Sequence, residues 1–255
     1  MIDFMHVFII LAHMVHVIYL IILAYFIVGA IGFYFINRKN DPLSARMNRI
    51  KFITYCVIIH IIFFSIVIEP VAFRVIAGII ILAGFCELFK LHKDSGFAKK
   101  RPFLISAIIF SLLSYSFFVF SGFDRNLILF VFLVIAIFDS FSQITGQIFG
   151  KTKIFPKISP AKTVEGFAGG VIIALISSLL FRELIDQNIG YTLRIASEIV
   201  LFAFAGDLAA SYYKRLYNVK DFSKMIPGHG GFLDRFDSLI AGGAWIAVSV
   251  LLLNI

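Results

Sequence analysis

Apolar residues in this chain come in long blocks separated by short charged segments, with little of the alternation expected for half-buried strands. Eight blocks emerge, near residues 10–36, 52–68, 72–89, 102–122, 127–148, 166–182, 195–213 and 236–254. Most approach the roughly 20 helical residues needed to cross a bilayer core. The pattern therefore predicts a polytopic bundle of about eight transmembrane helices. The first block is uncharged from Phe4 to Asn37, longer than one span requires, and carries His6, His13 and His16 at its start. It lacks a basic leader segment and a small-residue cleavage site, so removal as a signal peptide is not expected.

Composition excludes the soluble alternative. Hydrophobic residues make up 60% of the 255, charged residues only 15%, and the mean hydropathy is +0.97, whereas soluble domains carry about 25% charged residues. The expected fold class is an all-α integral membrane protein. Residues 1–126 form about four N-terminal spans, and 127–255 form a C-terminal region with polar loops at 150–165 and 214–235. Cys56 and Cys86 lie inside apolar blocks and read as small buried hydrophobes, and His13, His16 and His60 as packed side chains.

Charge fixes an orientation. Alternate loops, 38–51, 90–101, 151–162 and 214–235, hold 19 of the 23 Lys and Arg residues, leaving Arg74, Arg125, Arg182 and Arg194 for the other side. The positive-inside rule then puts both termini outside and all four basic loops in the cytoplasm. Topology and anionic lipid thus account for the net charge of +8, and nothing resembles a nucleic-acid module. The loop 90–101, without glycine-rich or acidic partners, reads as a lipid-facing basic collar.

Charges inside apolar helices are costly, about 2.5–3.5 kcal/mol each on insertion scales, and so mark candidate sites. Asp207 lies within the seventh block, with Ser211, Lys214 and Arg215 following on one helical face at i+4, i+7 and i+8. Asp234 and Asp237, at i and i+3, open the eighth, where a helix N-terminus favours anions and where they can turn toward Asp207. A second constellation runs from Asp139 through Ser142, Gly146 and Gly150, whose small side chains allow close helix packing, into Ile158-Ser-Pro-Ala-Lys-Thr-Val-Glu-Gly. There Ser159 or Thr163 can cap the sixth helix and Lys162 can meet a phosphate. Carboxylates with Lys, Arg and glycine suit a metal and a polyphosphate: the acids hold the cation, the bases neutralise phosphate oxygens, and glycine lets backbone amides approach.

The run Ser211-x2-Lys214-Arg215-x4-Lys220-Asp221-x5-Pro227-x-His229-Gly230-Gly231-x2-Asp234-Arg235-x-Asp237 resembles the signature of the phosphatidate cytidylyltransferase, or CDP-diacylglycerol synthase, family. Ser159-Pro-x-Lys162-Thr163-x-Glu165-Gly166 and the block from Asp139 to Gly150 resemble two further motifs of that family. The similarity covers roughly 139–238, while the first four spans match only in being hydrophobic. Gln147 and Ala161 depart from the pattern, each standing where a basic residue is common.

The resemblance implies transfer of a cytidylyl group from CTP to phosphatidic acid in the cytoplasmic leaflet, giving CDP-diacylglycerol and pyrophosphate at a bacterial inner membrane. It implies Mg²⁺, in a centre with one or two cations, on Asp207 and Asp234 with Asp237 in support. Lys214, Arg215, Lys220 and Arg235 would contact phosphates. His229 would bind phosphate first and relay a proton second. Ser211, Asp221, Gly230, Gly231, Ser159, Lys162, Thr163, Glu165 and Asp139 complete the expected substrate surface, a polar pocket among spans five to eight that opens to the cytosol. A homodimer is implied as well. Three other readings share parts of the pattern: a CTP-dependent polyprenol kinase or a cytidylyltransferase for another lipid phosphate; a transporter using Asp139 and Asp207 as ion ligands, for which repeated halves or broken helices are missing; and an inactive paralogue.

Overall fold

A computed structural model describes residues 4–38, 41–226 and 230–253. Eight long helices match the eight apolar blocks: α1 (Phe4–Asn37), α2 (Pro42–Ile68), α3 (Pro70–Asp94), α4 (Lys100–Phe120), α5 (Arg125–Phe149), α6 (Val164–Leu180), α7 (Ile189–Leu216) and α8 (Leu233–Leu253). Six of them, all but α6 and α7, are long and apolar enough to cross a membrane. Helix α6 has 17 residues. Helix α7 has the length, 28 residues, but carries Arg194, Glu198 and Asp207 in its apolar stretch.

Helix starts follow capping chemistry. Asp41 accepts from the amides of Leu43 and Ser44 ahead of α2, Asn188 from Tyr191 ahead of α7, and Thr163 from Gly166 ahead of α6. Thr163 is thus the cap expected of the Ser159–Thr163 segment. Proline opens α2 and α3, where a missing N–H costs nothing.

Helix α5 is the axis of the bundle, with Phe130, Val131 and Val134 wholly enclosed. It packs most extensively against α6, as α7 does against α8. The α5–α6 contact depends on missing side chains, as the spacing of Ser142, Gly146 and Gly150 predicts. A Cβ on Gly166 would lie 2.7 Å from the Ser142 carbonyl oxygen, and one on Gly170 would lie 2.9 Å from that of Phe138. Both backbones approach because neither position carries a side chain.

The all-α expectation needs one correction. The loop after α5 is an antiparallel hairpin, β1 (Lys153–Phe155) against β2 (Ser159–Thr163), pairing Lys153 with Thr163 and Phe155 with Ser159 across a bulge. Three- and five-residue strands are too short to announce themselves against the flanking helical blocks. Both cysteines are free thiols, but Cys86 faces outward and Cys56 is only half-buried. His60 is packed as expected, between the rings of Tyr19 and Phe26, whereas His16 is exposed.

Candidate functional site

Most of the predicted residues converge on one cavity of about 610 Å³ at the loop-bearing end of the bundle, though Glu165, Gly230 and Gly231 are not among those that line it. Helix α5 contributes Asp139, α7 contributes Asp207, Ser211, Lys214 and Arg215, α8 contributes Asp234, Arg235 and Asp237, and β2 contributes Ser159, Lys162 and Thr163. Lys220 and Asp221 join from the segment after α7.

Two ion pairs cross the cavity between different elements. Lys162 Nζ lies 2.7 Å from Asp207 Oδ2, tying the hairpin to α7, and also sits 4.3 Å over the ring of Phe204. Lys214 Nζ lies 2.5 Å from Asp234 Oδ1, tying the end of α7 to the start of α8. The Asp234 side chain is 1% exposed, so this second pair is held in a low-dielectric setting where loss of either partner would strand a charge. Ser211 donates to Asp207 Oδ1 at 3.3 Å, one turn along the predicted face.

Asp234 also organises the glycine loop. Its Oδ2 accepts from the amides of Phe222 and Gly231, both at 2.8 Å, so each carboxylate oxygen is engaged. Gly230 has φ +83°, and a Cβ there would lie 2.7 Å from Asp234 Oδ2, so glycine is required both for conformation and for space. Ile226 N donates to Gly230 O. His229, together with Pro227 and Gly228, lies outside the described residues.

Asp139 and Asp237 are different. Neither forms an ion pair among the described residues; Asp237 Oδ1 accepts from the Ser238 amide and Asp139 Oδ1 from the Ser238 hydroxyl. Both interact repulsively with Asp207, and they repel each other. No three acidic, histidine or cysteine side chains form a ready metal cage among the described residues. Asp207 is instead held by Lys162 and Asp234 by Lys214.

Two expected substrate residues have structural partners. Arg215 donates through Nε to the Ile158 carbonyl and through a terminal nitrogen to that of Val219, pinning the hairpin and the segment after α7. Glu165 accepts from the amides of Lys151 and Thr152 and so holds the start of the hairpin.

Sequence reasoning missed Glu87 of α3. Buried to 3% exposure, it accepts from the Ser223 hydroxyl at 2.6 Å, the Phe232 amide at 3.0 Å and the Leu233 amide at 2.8 Å. It satisfies orphan donors at the start of α8 from another helix, and its carboxylate packs where a Gly231 side chain would be. An acid inside the third apolar block was the available signal. The basic segment 90–101 is also more than a collar: Lys99 donates to the Leu216 carbonyl, and His92 stacks on Phe103 at 4.2 Å. Finally, the cavity extends beyond helices α5 to α8, because Ile22, Phe26, Phe52 and Ile59 of α1 and α2 line its apolar side.

Comparison with known proteins agrees with this geometry. The model of the Cytidylyltransferase family matches residues 116–253, more than half of the chain. A phosphatidate cytidylyltransferase of Staphylococcus saprophyticus is 48% identical over 115 residues, covering 44% of each chain. That of Bacillus subtilis is 46% identical over 104 residues, 40% of this chain and 39% of its own, and that of Staphylococcus aureus strain COL is 41% identical over 115 residues, again 44% of each. The alignments thus span less than half the length of these relatives. The family match takes in Asp139, both lysine–aspartate pairs and the glycine loop, and on it the chain belongs to the Cytidylyltransferase family.

Proposed function

We propose that this protein transfers a cytidylyl group from CTP to phosphatidic acid, releasing pyrophosphate and forming CDP-diacylglycerol. The observation that carries this reading is one cavity in which two lysine–aspartate pairs and two carboxylates without ion pairs among the described residues meet an apolar strip from α1 and α2. Such a space suits a substrate with a phosphate at one end and acyl chains at the other. The names of the bacterial relatives supply the reaction.

In that reaction a phosphate oxygen of the lipid attacks the α-phosphorus of CTP. A new P–O bond forms, the bond between the α-phosphorus and the bridging oxygen breaks, and pyrophosphate leaves with the electron pair. Two anions must approach, so charge neutralisation and alignment are the main demands. Lys162 and Lys214 meet them by turning from Asp207 and Asp234 onto phosphate oxygens. The lipid phosphate is largely ionised near neutral pH, so a strong general base is unnecessary. Arg215 and Glu165 support the hairpin, and Lys220 and Arg235 add positive charge.

The carboxylates fit a hard divalent cation such as Mg²⁺. Among the described residues Asp237 and Asp139 have no ion pair, and both line the cavity together with Asp207. Asp207 and Asp234 would hold the ion once Lys162 and Lys214 turn to phosphate, with Asp237 in support and Asp139 beside them. Bound there, the cation would act as a Lewis acid and offset charge on the departing pyrophosphate. The basic loops support a site on the cytoplasmic face of a bacterial inner membrane. The enzyme works as a homodimer in this reading.

The test is a detergent-solubilised preparation given radiolabelled CTP, phosphatidic acid and Mg²⁺, with Asp207→Asn and Asp234→Asn alongside. CDP-diacylglycerol and pyrophosphate from wild type, reduced on the order of 10²–10³-fold in each variant, is the expected result. Release of CDP with a phosphorylated lipid alcohol would identify a kinase, and no lipid product from folded wild type would reject the assignment.

A further inference from the structure

Besides the two lysine–aspartate pairs, the cavity is lined by further groups of both signs. Once those pairs are set aside, Asp139 and Asp237 line the cavity without an ion pair among the described residues. Lys51, Lys220 and Arg235 line it too, without an ion pair or hydrogen bond from their side chains among the described residues. Lys51 comes from α2, outside the stretch matched by the family. It is half-buried and within electrostatic reach of Lys220 and Arg235, with Asp221 the one acid nearby. Arg235 also reaches Asp139 and Asp237, but Lys51 itself meets two cations and one carboxylate, an imbalance that an added anion relieves.

Helix α2 also says which anion. Lys51, Phe52, Tyr55, Ile58 and Ile59 all line the cavity, at i, i+1, i+4, i+7 and i+8, so one face carries an ammonium at its loop end and apolar side chains beyond it. The Tyr55 hydroxyl is turned away from a ligand role, since it donates to the Ala136 carbonyl. Phe26 of α1 packs on Phe52 and Tyr55 and extends the apolar strip. A cation above an apolar strip matches a lipid phosphate above its acyl chains better than it matches a triphosphate, which has no apolar part. Gln147 and Ala161, the two positions lacking an expected basic residue, line the same cavity, and Lys51 returns one positive charge to it from a different helix.

We propose that Lys51 binds the phosphate of the lipid substrate, with the α1–α2 strip as the groove for its acyl chains. This rests on the cytidylyl-transfer reading for the identity of the lipid, but the cation-over-groove geometry stands apart from it.

The experiment compares wild type, Lys51→Met and Lys51→Arg in detergent micelles. Binding of dioctanoyl phosphatidate, dioctanoylglycerol and CTP is measured without turnover in EDTA, with thermal unfolding recorded for each variant, and the KM for each substrate is then taken with Mg²⁺. Removal of a charge-assisted phosphate contact should weaken phosphatidate binding and raise its KM by about tenfold or more in Lys51→Met. Binding of dioctanoylglycerol and the KM for CTP should stay within about twofold, and Lys51→Arg should recover most of the loss. Unchanged phosphatidate affinity in Lys51→Met overturns the proposal, as does a loss confined to CTP, which would put Lys51 on the triphosphate. If Lys51→Met unfolds early, Lys51→Arg decides: lipid affinity and KM near wild type support the contact, and loss of both with normal unfolding rejects a simple charge contact. Failure of wild type to form CDP-diacylglycerol, with the binding pattern intact, would remove the reaction and leave the lipid-phosphate site standing.

Discussion

Helices α1 and α8 invert the rule learned from soluble proteins. The apolar window of α1 has a mean hydropathy of 2.4 and is 17% buried within the protein, whereas that of α8 has 1.4 and is 67% buried. The more hydrophobic helix is the less enclosed. In a bilayer the lipid-facing surface is as apolar as any core, so hydrophobicity does not draw helices together; small residues, close packing and polar contacts do. The C-terminal half has these in quantity, in the glycines between α5 and α6 and the ion pairs joining the hairpin, α7 and α8. The N-terminal half has few, and contributes through isolated polar residues such as Glu87 and Lys51.

The largest effect expected from breaking this contrast is at Glu87. Glu87→Ala leaves the Ser223 hydroxyl and the Phe232 and Leu233 amides without their acceptor. It should cost about 3 kcal/mol or more of stability, with the proposed cytidylyl transfer falling on the order of 100-fold as the glycine loop loosens. Glu87→Gln, which keeps one acceptor oxygen, should recover part of both in thermal unfolding and turnover assays. Wild-type behaviour of Glu87→Ala would show that the N-terminal helices are only a lipid-facing shell.

A glycine pair sharpens the comparison between halves. Gly170→Ala forces a methyl against Ser142 and the Phe138 carbonyl oxygen, and should destabilise by about 1–3 kcal/mol through overpacking. Gly78→Ala in α3, where a Cβ meets nothing within 4 Å, should stabilise by roughly 0.5–1 kcal/mol through helix propensity. Opposite shifts in midpoint temperature, measured in one detergent, are the expected signature. Equal shifts would mean that the α5–α6 approach can relax.

The smallest effect should come from charge on the far part of α7. Arg194 pairs with Glu198 at 3.1 Å, but its side chain is 56% exposed, so Arg194→Ala should change stability by less than about 0.5 kcal/mol. Glu198 keeps its second partner, the Trp245 indole N–H at 3.0 Å. A larger loss in the same unfolding assay would show that this pair helps lock α7 to α8.

Residue order by itself determined the eight helices, because a segment in lipid must satisfy its own backbone hydrogen bonds and its apolar length is therefore readable. It also marked Asp139, Asp207, Asp234 and Asp237, since charge in such helices is too costly to keep without a role. A cap for α6 at Ser159 or Thr163 was legible because capping is local, and the structure selects Thr163. Tertiary structure alone decided that Lys162 meets Asp207 and Lys214 meets Asp234, that Arg215 turns to backbone carbonyls, and that Glu87 reaches the start of α8 across more than 130 residues of sequence. It alone brought Lys51 to the cavity. Spacing along one helix fixes which residues share a face, but which face meets which partner depends on how helices pack, and in a uniformly apolar environment hydropathy carries little of that information.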